Sequence, residues 1–203
     1  MLIKPLWVEC SSSAAFGGGT VRVVIGAGTV YEEGWIRTNV QYLNLLNDSH
    51  WQYAFADHPI DALLAEHVWE HLTFEEGRRA AAQCYKYLKP GGYLRVAVPD
   101  GQNPNPDYLE FVRPGGSGPG ADDHKTLHTL QSLRELLESV GFAVEPLEYY
   151  DADGRFHAAK WDPQAGRIHR HQGWTETLPG GRVLPYTSLI VDARKKSRAL
   201  PTR

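Results

Sequence analysis

Val21-Arg22-Val23-Val24-Ile25 is a short, β-branched, almost wholly apolar run, and it closes on Gly26-Ala27-Gly28. A half-exposed strand alternates apolar and polar residues, whereas a strand buried on both faces need not. A run of this kind, ended by glycines, predicts a strand inside a parallel sheet. Parallel sheets need covered faces, so helices must follow. One is marked at Thr73 and Glu76, which have the spacing of a capping box. Phe74, Arg78, Ala81, Tyr85 and Leu88 then recur at helical spacing, four of the five apolar. Pro90 stops this helix near Lys89, and Gly91-Gly92 turns the chain into a second mostly buried strand, 93–98.

Around these anchors the remaining elements are weaker. Trp35–Val40 is a strand candidate, and 41–60 holds at most one short strand near Trp51–Phe55. Ile60–Ala65 reads as strand with helix as its rival, since Ala and Leu favour helix. Residues 126–140 form an amphipathic helix with Leu127, Leu130, Leu133, Leu137 and Val140 inward, stopped by Gly141. Phe142–Tyr150 and Ser188–Ala193 are strands, and 151–185 holds a β-hairpin. Residues 1–20 read as a flexible lead-in and 196–203 as a basic tail. The order of elements predicts a single α/β domain over 21–195 with a largely parallel sheet. Ligands in such sheets sit at the carboxyl ends of the strands.

Composition narrows the partners. With 21 basic and 24 acidic residues the net charge is −3 and the pI about 6.3, which gives no global attraction to nucleic acid or an anionic membrane. No apolar run is long enough to span a bilayer, and the N-terminus lacks the pattern of a secretory signal. Cys10 and Cys84 match no metal or redox spacing. A cytoplasmic protein with free thiols is expected. No nucleic-acid or membrane partner is expected, and a homodimer stays open. Gly and Pro total 33 residues, ten of them between Pro99 and Asp123. A loop that rich and that long predicts a mobile cover over a site, with His124 at its exit.

Glu66-His67-Val68-Trp69-Glu70-His71-Leu72 follows directly on the strand at 60–65. Two Glu-His pairs at a strand end are chemically suggestive, although acidic residues also favour a helix entry electrostatically. The whole stretch Asp61–Pro99, "DALLAEHVWEHLTFEEGRRAAAQCYKYLKPGGYLRVAVP", resembles the central part of class I S-adenosylmethionine-dependent methyltransferases. "VRVVIGAGTVYEEGWI" resembles that family's glycine motif in shortened form, "LRELLESVGF" its late helix, and "YTSLIVDARK" its last strand. The resemblance covers most of 21–195, is strongest over 61–99, and is closest to methyltransferases whose acceptors are undefined. It implies a Rossmann-like, seven-stranded sheet, here shortened at the first helix and carrying a small β-hairpin insertion before the last strand.

The resemblance implies S-adenosylmethionine as cofactor. Ile25, Gly26, Ala27 and Gly28 match the loop under its methionine part, and Glu66 and His67 match residues beside that part and near the acceptor. The family's ribose-binding acid is replaced by Asn39; Asp48, or Asp57 further on, is the nearest acidic substitute. Trp35 follows Gly28 by only seven residues, too few for the usual crossover helix. Candidates for a catalytic base are His67, His71 and His124, with Glu66 or Glu70 as orienting carboxylate, because imidazole titrates near neutrality. His124/His128 and His169/His171 are spaced as ligand pairs, the latter pair on a strand, but no Cys or carboxylate at matching spacing completes either. No metal is therefore expected. Trp51, Trp161 and Trp174 either line an acceptor pocket or pack the hairpin, with packing favoured. The function expected is methyl transfer to a small-molecule acceptor. The rival readings are a methyltransferase-like fold without turnover, serving as a binding module, and a nucleotide-binding α/β protein. The last needs a glycine turn opening directly into a helix, and residues 29–40 do not supply it.

Overall fold

The computed structural model describes residues 19–30, 32–178 and 180–197. Cys10, nearly all of the lead-in and the end of the basic tail lie outside these. The described elements are strands β1 (Arg22–Ile25), β2 (Ile36–Arg37), β3 (Ile60–Glu66), β4 (Leu88–Pro99), β5 (Ala143–Tyr150), β6 (Phe156–Ala158), β7 (Trp174–Thr177), β8 (Val183–Tyr186) and β9 (Ser188–Arg194), with helices α1 (Asp48–Phe55), α2 (Phe74–Tyr87), α3 (Pro106–Val112) and α4 (Leu130–Glu138).

Seven strands form one sheet in the order β2-β1-β3-β4-β9-β5-β6, and β7 pairs with β8 in a separate hairpin. β2, β1, β3 and β4 run parallel; β9 is antiparallel to both β4 and β5, and β6 folds back on β5. The sheet is thus parallel in one half and antiparallel in the other. From β1 the chain steps outward to β2 and then returns to β3 on the opposite side. That reversal creates a crevice at the carboxyl ends of β1 and β3.

The alternation of side chains across the pleat explains why both faces are apolar. Val23, Ile25, Leu63, Ala65, Leu94 and Val96 point to one face, where Ala80, Ala81, Cys84, Leu133 and Leu137 of α2 and α4 meet them. Val24, Ala62, Leu64 and Ala97 point to the other, against Trp35, Leu147 and Ile168. No α-helix among the described residues covers this second face. Residues 159–171 lie over it instead. Tyr93 donates its hydroxyl to Ala165 O at 2.6 Å, and Arg95 Nη1 reaches the carbonyls of Asp162 and Gly166. Arg95 also forms a fully buried, two-point ion pair with Asp192 directly opposite on β9, under the Trp161 ring. Residues 159–171 therefore take the place of an α-helical layer, and among the described residues no crossover helix joins the parallel strands β1 and β2.

Several local expectations change. Residues 48–55 form α1 rather than a strand: the Asn47 side chain caps it by accepting from Ser49 N, and Trp51 and Phe55 bury one turn apart. The capping box at Thr73 and Glu76 is present, but α2 buries Gly77, Ala80, Ala81, Cys84 and Tyr87, and leaves Phe74 exposed against His128. α4 starts at Leu130 because Thr129 and Ser132 cap it reciprocally. Leu127 and His128 are therefore not helical; His128 bridges to Asp100. Segment 99–123 is not one long loop. It contains α3, started by the Asn105 cap and pinned by the buried Tyr108, whose hydroxyl accepts from Asp100 N and donates to Thr187 O. His169 and His171 lie in bends, not on a strand. Among the described residues, no helix is long and apolar enough to cross a membrane.

Candidate active site

Three strand ends meet at the crevice. At the end of β1, Gly26 and Gly28 take the left-handed conformation, which glycine adopts without steric cost. Gly28 N donates to Asn39 Oδ1 at 2.8 Å and Ala27 N to Thr38 O, so the segment after β2 holds the glycine turn. At the end of β3, His67 also has a positive φ of 56°, the sole non-glycine among the described residues to do so. Strain of this kind marks a backbone over-determined by its surroundings. Here His67 N donates to Ala97 O, and its Nε2 lies 3.0 Å from Ser188 Oγ.

The result is a cleft of about 560 Å³ lined by Ile25, Gly26, Gly28, Asn39, His67 and His71, walled by the apolar Val40, Leu43, Leu45, Leu46, Val68 and Leu72, and rimmed by Glu76, Asp123 and Lys125. That volume and mixed lining suit a small-molecule cofactor. Lys125 pairs with Glu76 at 3.1 Å. A second pocket of about 240 Å³ adjoins it. His67, Glu70, His71, Phe111, His124, Arg170, Glu176 and Tyr186 line that pocket, with Val112, Gly118 and Pro119 from the 99–123 segment. His67 and His71 line both spaces. A larger hollow of about 700 Å³ lies near Lys89 and Lys195, lined by no histidine or carboxylate and away from these strand ends.

Backbone bonds bring distant residues to the second pocket. Glu70 O accepts from Lys125 N and Thr126 N, and the Thr126 hydroxyl reaches Leu72 O, which fixes His124 beside His71. Their rings meet edge to face at 4.9 Å. Burial pushes the Glu70 carboxyl up, but the nearby imidazoles of His67 and His71 outweigh it, so the group is held below the usual carboxylate range. Burial drives the Tyr186 hydroxyl far above the ordinary phenol range.

Of the residues expected at the site, Ile25, Gly26, Gly28, Asn39 and His67 line the cleft, and His67, Glu70, His71 and His124 line the second pocket. Four do not fall where expected. Ala27 is buried with its amide committed to Thr38. Asp48 begins α1 and pairs with Lys86 on the surface, far from a ribose-binding role, while Asp57 is exposed after the same helix. Glu66 points to the other side of the sheet, where it accepts from His169 N, Arg170 N and His169 Nδ1 and so anchors the insertion. Trp51 packs in the core on Tyr87, Trp161 donates to Glu148, and Trp174 lies outside the second pocket. The sequence reading missed Lys125, Glu76, Arg170 and Tyr186. Only the helix-start position of Glu76 hinted at any of them.

Residues 31–96 match the family model described as a methyltransferase domain. Over 106 residues, 52% of the chain, the sequence is 30% identical to a Mycolicibacterium smegmatis protein named as an S-adenosylmethionine-dependent methyltransferase. The chain spans about a third (34%) of the length of that curated relative. An O-methyltransferase family protein of Burkholderia thailandensis shares the fold with a TM-score of 0.52 at 11% identity, covering 96% of this chain and 56% of that one. So does a Haloferax volcanii complex of the Trm112 methyltransferase activator with a methyltransferase, with a TM-score of 0.51 at 10% identity, covering 97% and 92%. The family match over 31–96 takes in β3, the strand-end histidines and α2, and in that stretch and in its fold the chain is similar to S-adenosylmethionine-dependent methyltransferases.

Proposed function

We propose that the chain transfers a methyl group from S-adenosylmethionine, bound in the 560 Å³ cleft, to a small-molecule acceptor held in the adjoining 240 Å³ pocket. The observation that carries this reading is the wall shared at His67 and His71, because methyl transfer needs donor and acceptor in line and in contact. S-adenosylmethionine supplies an electrophilic methyl on a sulfonium. What the protein must add is orientation and exclusion of water.

The cleft residues suit that ligand. A Cβ on Gly28 would meet nothing within 4 Å, so the backbone there is open to close approach. Asn39 spends its oxygen on Gly28 N and keeps its amide NH₂ to donate to a ribose hydroxyl. Val40, Leu43, Leu45 and Leu46 offer an apolar wall for the adenine. Lys125 is the rim cation nearest in kind to what a carboxylate end requires. On the acceptor side His67 is the candidate base, with Nδ1 2.9 Å from Glu70 Oε1. His71, Glu70 and His124 complete the wall.

Calorimetric titration with S-adenosylmethionine and S-adenosylhomocysteine tests the reading. Micromolar binding of either, abolished by Gly28→Trp, is the expected result. No binding of either at millimolar ligand removes the proposal.

A further inference from the structure

Glu70, His71 and His124 each bring one ligating atom within 4.8 Å of the others, on the wall of the 240 Å³ pocket. The Glu70 side chain is 1% exposed. His67 Nδ1 lies 2.9 Å from its Oε1 but off the hydrogen-bonding direction, so neither carboxylate oxygen has a hydrogen-bond partner. A buried anion with orphaned lone pairs demands compensation. One histidine at one oxygen does not meet that demand.

The two imidazoles are held in a telling orientation. His124 Nδ1 lies 2.7 Å from Val112 O. A carbonyl can only accept, so the proton sits on Nδ1 and the Nε2 lone pair is free. His71 Nδ1 lies 3.1 Å from the Asp123 carboxylate, with the same consequence. Histidines whose far nitrogen is fixed by a carbonyl or carboxylate are the usual form of metal-ligating histidine. One carboxylate with two such imidazoles is a ligand set for a divalent transition metal that leaves further positions open.

We propose that Glu70, His71 and His124 hold a divalent transition-metal ion of the zinc class, with its open positions toward the 240 Å³ pocket. Resting on the methyltransferase reading, the ion would favour an acceptor that ligates through an ionisable oxygen, since a bound cation lowers the pKa of such a group. Spacing in the sequence could not reveal the set, because Glu70–His71 and His124 lie on segments far apart in the chain that meet only in the fold, through bonds such as those from Lys125 N and Thr126 N to Glu70 O.

The full chain, freed of metal by chelator dialysis, is titrated with CoCl₂ by visible absorption and with ZnCl₂ by calorimetry. One equivalent of each is expected to bind with micromolar affinity or tighter. Asp123→Asn, at an exposed position, is expected to weaken binding by ~10–100-fold, the usual effect of losing a group that orients a ligand histidine. Glu70→Gln and His124→Ala are each expected to abolish stoichiometric binding, with circular dichroism reporting whether they fold. Should either fail to fold, Asp123→Asn decides. Absence of stoichiometric uptake at millimolar metal, or equal affinity in wild type, Asp123→Asn and His124→Ala, overturns the proposal. S-adenosylhomocysteine is titrated in parallel. A chain that takes Co²⁺ but no S-adenosylhomocysteine keeps the metal site and loses the methyltransferase reading; the opposite pattern does the reverse.

Discussion

Gly26→Ala is the most informative single change at the cleft. Two separate costs act there. The residue has φ +61°, and a left-handed backbone costs a residue bearing a Cβ about 1–2 kcal/mol. The new Cβ would also stand 2.7 Å from Val68 Cγ2. Val68 is β-branched and stiff about χ1, and it packs against the main core, so relief must come from shifts that cost about 1–3 kcal/mol. The sum is about 2–5 kcal/mol. Gly28→Ala isolates the first cost, because it shares the positive φ but its Cβ meets nothing within 4 Å; about 1–2 kcal/mol is expected. Val68→Ala isolates the partner, at about 1–2 kcal/mol for the lost methyls.

The double variant Gly26→Ala/Val68→Ala removes the collision and leaves the strain. It should lie about 2–4 kcal/mol below wild type, where additivity would give about 3–7, a coupling of about 1–3 kcal/mol. Urea denaturation followed by tryptophan fluorescence measures wild type and the four variants. Val68 follows His67, so Gly26→Ala should also weaken S-adenosylhomocysteine binding, and Val68→Ala should partly restore it. An additive double variant, or a Gly26→Ala no worse than Gly28→Ala, would refute the claim that glycine is required at 26 by the packing of Val68.

Other expectations follow from the same geometry. Burial raises the Asp100 carboxyl from 3.8 to about 6 against the hydrogen bonds from Tyr150 N and Gln102 N. The folded state then holds a proton that the unfolded chain releases, so stability present below about pH 4 is lost as pH rises to about 6, by ~3 kcal/mol; Asp100→Asn should flatten that slope in urea titrations, and identical slopes would contradict the assignment. Asp192→Asn leaves the Arg95 guanidinium buried without its counter-charge and should cost about 3–5 kcal/mol, read as a lowered Tm; a shift no larger than that of a surface variant would count against it. Tyr108→Phe strips partners from Asp100 N and Thr187 O, for about 1–3 kcal/mol, measured by the same denaturation. Asn39→Ala frees the glycine turn and should weaken S-adenosylhomocysteine several-fold for the loss of about 0.5–1.5 kcal/mol. Asn39→Asp keeps the acceptor for Gly28 N and should bind at least as tightly as wild type.

What could be read in the sequence was what local chemistry enforces. The Val21–Ile25 run declares a strand buried on both sides, and the structure buries Val23, Val24 and Ile25 almost fully. The Thr73–Glu76 box fixes the start of α2 because both reciprocal bonds lie within one turn. α1 was missed because its eight residues carry a weak apolar pattern. The Asn47 cap and the Trp51–Phe55 spacing are small signals against so much aromatic and polar character. The start of α4 was misplaced because leucine spacing continues back to Leu127, while the reciprocal Thr129–Ser132 cap sets the boundary.

The site divides along the same line. Gly26, Gly28, Asn39 and His67 were legible because each stands just after a strand, where the topology forces a crevice. Glu66 was misassigned for an equally simple reason. Alternation along β3 sends Leu63 and Ala65 to one face and Leu64 and Glu66 to the other, so proximity to the strand end does not put its carboxylate in the cleft. Instead it holds the backbone of His169 and Arg170, and that bond delivers Arg170 to the 240 Å³ pocket. Glu148 likewise accepts from Gln172 N and from the indole Nε1 of Trp161. Two carboxylates therefore dock residues 161–172 onto the face that lacks a covering α-helix. The short connection after β1 and the segment 159–171 are thus linked: the sheet face without an α-helix is covered from later in the chain, and the same segment brings Arg170 to one wall of the 240 Å³ pocket.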